Sequence, residues 1–169
     1  RAQMLAILTI LTTLTLGIDI ARKYSSNLQN FFVYYLGSAL RKDEMQMKKL
    51  TSASLMMVAL TASCLIFDKI TCIISWSILS LCDPLASILG RKFGKKTIYG
   101  KSLEGSAAFF ITSIIIVIIA KAFYPEIAPY PKLILACLIT TGLEFLSMQL
   151  KLDDNILIPL AFCVSYQII

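Results

Sequence analysis

The sequence predicts an all-α polytopic membrane protein, a bundle of about six transmembrane helices plus a short interfacial helix. Three observations carry this. Hydrophobic residues make up 57% of the 169, and mean hydropathy is +0.78, far too apolar for an ordinary soluble domain. They arrive in blocks of about twenty, the length that crosses a bilayer at ~1.5 Å per residue. The charged residues collect mostly in the connections between those blocks.

The first span runs from Met4 to Ile18. The chain opens at Arg1 without a Met, so an upstream segment is expected. No convincing small-residue cleavage site ends this block, which argues against a cleaved signal peptide. Between Asp19 and Lys49 the chain is more polar. There Leu28, Phe31, Phe32, Tyr35, Leu36 and Ala39 recur at helical spacing, as in a helix lying at the interface. Leu50 to Phe67 and Ile70 to about Leu89 read as the second and third spans, a tight antiparallel pair separated by Asp68-Lys69. Glu104 to Ala120 is the fourth. A turn punctuated by Pro125, Pro129 and Pro131 follows, then a fifth span from Leu133 to Leu150. Ile156 to Ile169 is the last, with Pro159 in its opening turns. Residues 1–169 are expected to form a single integral-membrane domain.

Five cysteines lie within the apolar blocks, none in a Cys-x-x-Cys pair, and there is no histidine. This argues against a zinc site, a haem and a Cys/His nucleophile. The formal charge of +6 fits membrane topology and anionic lipid or nucleotide better than nucleic acid. Connections 19–49, 90–103 and 151–155 hold twelve of the sixteen Lys and Arg residues. The positive-inside rule therefore places them in the cytoplasm, and every polar cluster of interest falls on that side.

The densest charge lies between Asp83 and Ser106. Arg91, Lys92, Lys95, Lys96 and Lys101 alternate there with Gly90, Gly94, Gly100 and Gly105, between the acids Asp83 and Glu104. Such a stretch reads as a topology signal, or as cations and flexible backbone suited to a polyphosphate whose metal ion the acids hold. Gly90 to Thr97 is one residue short of a phosphate loop and follows an apolar helix, not a strand, so that match is rejected. Gly90 and Gly94 also make a Gly-x-x-x-Gly pattern, set aside because a charged loop does not suit helix packing.

Asp83 lies about two turns inside the third span, where a carboxylate is costly and a functional candidate by default. Ser80 and Ser87 share its helical face, and Pro84 is expected to bend the helix beside it. Ser102 reads as an N-cap with Glu104 complementing the helix dipole, and that same helix start of small residues suits phosphate oxygens. Glu144 lies about 9 Å inside the fifth span, close to the depth of Asp83. Together with Thr140, Ser147 and Lys151 it forms a polar stripe expected to face the bundle interior. Asp153-Asp154-Asn155 reads either as a solvated turn with an N-cap or as a Mg²⁺-binding carboxylate pair.

Three motifs in order, Asp83-Pro-Leu-Ala-Ser-Ile-Leu-Gly-Arg-Lys-Phe-Gly94, Gly100-Lys-Ser-Leu-Glu-Gly-Ser106 and Asp153-Asp-Asn-Ile-Leu-Ile-Pro-Leu160, resemble the CTP-dependent lipid-alcohol kinases. That group includes dolichol (polyprenol) kinase, phytol kinase and the yeast-type diacylglycerol kinase. The resemblance covers roughly residues 19–160, including the charged turn Arg41-Lys-Asp-Glu44. Cys82 stands where the family commonly has Gly, and the chain lacks the His of the family's upstream Arg-Lys…His element. Phosphatidate cytidylyltransferases share part of these motifs, but their Lys-Asp…His-Gly-Gly…Asp-Arg ending is missing here, which makes them the second choice. A non-catalytic membrane transporter is a third.

The resemblance implies transfer of the γ-phosphoryl group of CTP to the hydroxyl of a membrane lipid alcohol such as a polyprenol, diacylglycerol or phytol. It implies Asp83, Glu104 and Asp154 as catalytic residues, and Asp83, Glu104, Asp153 and Asp154 as ligands of Mg²⁺ or another divalent cation. The nucleotide would meet Ser87, Gly90, Arg91, Lys92, Gly94, Lys95, Lys96, Lys101, Ser102, Gly105 and Asn155. The site would lie on the cytoplasmic face of a bacterial inner membrane or an ER-type membrane.

Overall fold

The computed structural model describes residues 2–46 and 49–169. Arg1, Met47 and Lys48 lie outside the described residues, as do the side chains of Lys42 and of Ala39, the last apolar position expected of the interfacial helix. The chain is an all-α polytopic membrane protein. Four helices are long and apolar enough to cross a membrane: α1 (Ala2–Tyr24), α5 (Lys69–Phe93), α6 (Leu103–Phe123) and α7 (Tyr130–Leu150). The expected second and sixth spans are shorter apolar helices of 15 residues, α4 (Ser52–Ile66) and α8 (Asp154–Ile168). The chain divides into two compact units, Arg1–Ala62 and Ser63–Ile169.

In the first unit, α1 leads through the N-cap Ser25 into α2 (Ser26–Leu36), where Phe31, Tyr34 and Tyr35 are exposed. A short α3 (Lys42–Met45) follows. Polar side chains hold this unit together. Asp19 is buried, pairs with Arg22 at 3.2 Å and accepts bonds from Thr51 N and Oγ1, each at 2.8 Å. Glu44 accepts from the Ser52 amide at 2.9 Å and from the Arg41 amide at 3.1 Å. Buried carboxylates of this kind are tolerated only when paired and hydrogen-bonded.

In the second unit α5 is capped by Asp68, which accepts from the amides of Ile70 and Thr71. The helix continues through Pro84 and past the expected end to Phe93, so Gly90, Arg91 and Lys92 are helical, not loop. Four residues later a two-stranded hairpin forms, β1 (Thr97–Ile98) with β2 (Lys101–Ser102), which the helical reading did not foresee. Its two-residue turn, Tyr99-Gly100, has positive φ at both positions (53° and 81°), as a type I′ hairpin requires. The turn leans on α7: Tyr99 meets Phe145 edge-on at 6.2 Å, and a Cβ on Gly100 would collide with Met148.

All five cysteines are buried, with no disulfide among the described residues. Cys72 and Cys163 pack with Phe67, Trp76 and Leu160 where α5 meets α8. Many large apolar side chains, including Ile111, Ile115 and Ile118 on α6, face outward. In a membrane helix such residues meet lipid.

Candidate functional site

The site is assembled at the end of the second unit where α5 finishes and α6 begins. Ser102 caps α6 by accepting from the Gly105 amide at 3.0 Å. The two helices touch backbone to backbone here. A Cβ on Gly105 would lie 2.8 Å from the Ala86 carbonyl oxygen, and one on Gly90 would lie 2.6 Å from Ser102 Oγ. The Gly-x-x-x-Gly pattern set aside as misplaced in a loop therefore does pack, because Gly90 is helical and Gly94 caps that helix. The amides of Gly94 and Gly105 are already bonded, to the Gly90 carbonyl and to Ser102 Oγ. Close approach is the observed work of these glycines.

Lys101 is the centre of the cluster. Its ammonium pairs with Glu144 of α7 and lies 3.0 Å from Asp154 Oδ2 at the start of α8. Burial works against its charge, but the Glu144 and Asp154 carboxylates outweigh that and hold the ammonium above its usual pKa. Thr140, Glu144 and Ser147 are buried, as the stripe predicts. Lys151 is not part of it: it is exposed and closes α7 in the left-handed region, at φ 55°. Ser106 of α6 donates to Glu144 Oε2 over a long 3.4 Å. Asp83 is half-buried on α5. Ser80 and Ser87, expected to surround it, are exposed.

The other acids divide. Glu104 Oε1 accepts from the Lys95 amide at 3.1 Å, tying the start of α6 to the end of the basic stretch. Asp153 caps α8, accepting from Asn155 N at 3.0 Å and Nδ2 at 2.7 Å. Two carboxylate oxygens, Glu104 Oε2 and Asp154 Oδ1, are buried with no hydrogen-bond partner among the described residues. Among those residues no three Asp, Glu, Cys or His side chains converge tightly enough to hold a metal ion unaided. Mg²⁺ is commonly held by one or two carboxylates together with substrate phosphates, and the two unpartnered oxygens fit that pattern. Arg91, Lys92, Lys95 and Lys96 are exposed.

An apolar cavity of about 260 Å³ lies between α5 and α6, lined by residues including Ile70, Ser77, Leu81, Ile116 and Phe123. Leu81 and Asp83 are two residues apart, about 200° around a helix, so the cavity opens on the other side of α5 from Asp83. The motifs pointed to most of the cluster. They did not show Lys101 joining Glu144 to Asp154, for which the only sequence signal is the depth of Glu144 within an apolar block.

No protein-family profile matches the chain, and no solved structure does. An uncharacterized protein of Rickettsia prowazekii is 31% identical over 166 residues, 98% of this chain and 81% of that protein. An uncharacterized protein of Methanocaldococcus jannaschii is 38% identical over 90 residues, 51% of this chain and 42% of its own length. A dolichol kinase of Schizosaccharomyces pombe is 35% identical over 89 residues, 50% of this chain and 17% of that enzyme. The chain belongs to the family of the Rickettsia protein.

Proposed function

We propose that this family member is a membrane-embedded kinase that moves the γ-phosphoryl group of CTP to the hydroxyl of a lipid alcohol. The observation that carries the reading is the meeting of Lys101, Glu144 and Asp154, from three elements, in a chain whose Arg91, Lys92, Lys95 and Lys96 stay exposed. The partial similarity to a dolichol kinase supports it. The choice of CTP rests on the motif resemblance, since the local chemistry calls only for a polyphosphate.

Phosphoryl transfer needs positioning and charge stabilisation more than covalent help from the protein. Arg91, Lys92, Lys95 and Lys96 would meet the phosphates, their exposure leaving them open to a soluble nucleotide. Lys101 is engaged with the acids and would hold Glu144 and Asp154 in register. Glu104 or Asp154, whose unpartnered oxygens are buried, would supply oxygen to Mg²⁺ together with the substrate phosphates, and the ion when bound neutralises phosphate charge. The cation bias of the connections supports a cytoplasmic location for this end, and the lipid tail would lie in the bilayer.

The test is incubation of the purified protein in nanodiscs with γ-labelled CTP and a panel of polyprenol, phytol and diacylglycerol. Label in lipid, with release of CDP, is the expected result. Label only in pyrophosphate, with phosphatidate present, identifies a cytidylyltransferase instead. No transfer to any acceptor points to a non-catalytic membrane protein.

A further inference from the structure

Glu144 is the most deeply buried acid of the cluster. It is 3% exposed, on a helix long enough to span the membrane, six residues before that helix ends at Leu150. At ~1.5 Å per residue this is about 9 Å in from the polar end. Arg91, Lys92, Lys95 and Lys96 are exposed to solvent, whereas Glu144 is buried inside the helical bundle. Its two oxygens differ. Oε1 is held by Lys101, which fixes the carboxylate. Among the described residues Oε2 receives only the 3.4 Å contact from Ser106 Oγ, near the limit of a hydrogen bond, so it has acceptor capacity to spare.

We propose that Glu144 is the proton acceptor for the substrate hydroxyl, with Lys101 fixing its far oxygen and Ser106 orienting the near one. The inference rests on the lipid-kinase reading. In the step, the lipid oxygen forms a bond to the γ-phosphorus and its proton passes to Glu144 Oε2. The bond from that phosphorus to the β–γ bridging oxygen breaks, and the electron pair leaves with CDP.

Glu144→Gln is the first variant, because it keeps the shape and removes the base. The expected result is a fall in kcat of about 100-fold or more, within the range for loss of a general base, with CTP-induced thermal stabilisation retained. A structural counter-ion to Lys101 would also matter for activity, so a second readout separates the two roles. The variant and the wild type are compared on hexahydrofarnesol and on its gem-difluoro derivative, fluorinated beside the carbinol carbon. A more acidic hydroxyl needs less help in losing its proton, so the deficit should shrink about tenfold on the fluorinated acceptor. An equal deficit on both alcohols, or activity within about threefold of wild type, overturns the assignment. If Glu144→Gln fails to fold, Glu144→Asp enters the same two-acceptor comparison. Lack of lipid phosphorylation by the wild type defeats the kinase reading itself, a different outcome from a wild type that works alongside a Gln variant that also works.

Discussion

The Lys101 ammonium lies 3.0 Å from Asp154 Oδ2, joining a hairpin strand to the first turn of a helix 53 residues further on. The same nitrogen pairs with Glu144. One cation therefore ties β2, α7 and α8 together at the end of the second unit.

Removing that cation leaves two acids in poor solvent. Lys101→Met should destabilise the protein by about 3 kcal/mol, the low end for breaking a buried pair because Lys101 keeps some exposure. Thermal unfolding in detergent measures it. The folded-state pKa of Lys101 is raised, so its contribution is complete below the ordinary lysine value of 10.5 and is lost as pH climbs through the higher folded one. Wild-type stability should therefore fall in that alkaline window, and Lys101→Met should lack that part of the fall. Parallel curves for the two proteins would contradict the pairing.

Gly105→Ala tests the close helix approach. The added methyl would sit 2.8 Å from the Ala86 carbonyl oxygen and 2.9 Å from Ser102 Oγ. Backbone has little room to yield, and overpacking of this kind costs ~1–3 kcal/mol. A melting temperature equal to wild type would show that α5 and α6 are not so close.

Asp83→Ala should abolish CTP-dependent lipid phosphorylation. Thermal unfolding of the variant, measured beside activity, separates a functional loss from a folding defect. Activity loss with stability intact would mark a functional carboxylate. Retained activity would remove Asp83 from the catalytic set.

Asp19→Ala concerns the first unit alone. It strips the buried Arg22 of its counter-charge and takes the acceptor from both Thr51 donors. Breaking a buried pair from one side costs ~3–5 kcal/mol. Asp19→Ala paired with Arg22→Met should recover much of the loss, a comparison read by a double-mutant cycle.

The helical spans were legible because hydropathy and its period are local properties. Long apolar blocks announced α1, α5, α6 and α7, although the helices run a few residues beyond the expected ends. The hairpin was missed. Its signal, a two-residue Tyr99-Gly100 loop between short β-prone pairs, is slight beside the surrounding charge. Lys101 was grouped with the other cations because composition does not distinguish a lysine that faces water from one that turns inward. The docking of Tyr99-Gly100 against Phe145 and Met148 accompanies that turn. In the same way Arg22 reads as one more basic residue after a span, and only its burial against Asp19 reveals a structural ion pair.

By itself the sequence determined that the chain is helical, spans a membrane and gathers its charge into a few connections, since each follows from residues near one another along the chain. Tertiary structure alone decided which acids Lys101 joins, that Glu144 offers one fixed oxygen and one with spare capacity, and that Gly90 and Gly105 bring two backbones together. Those facts depend on how far each helix continues and how it is rotated about its axis. A single added residue turns every later side chain by about 100°, and pairing across 43 or 53 residues depends on that rotation in every helix at once.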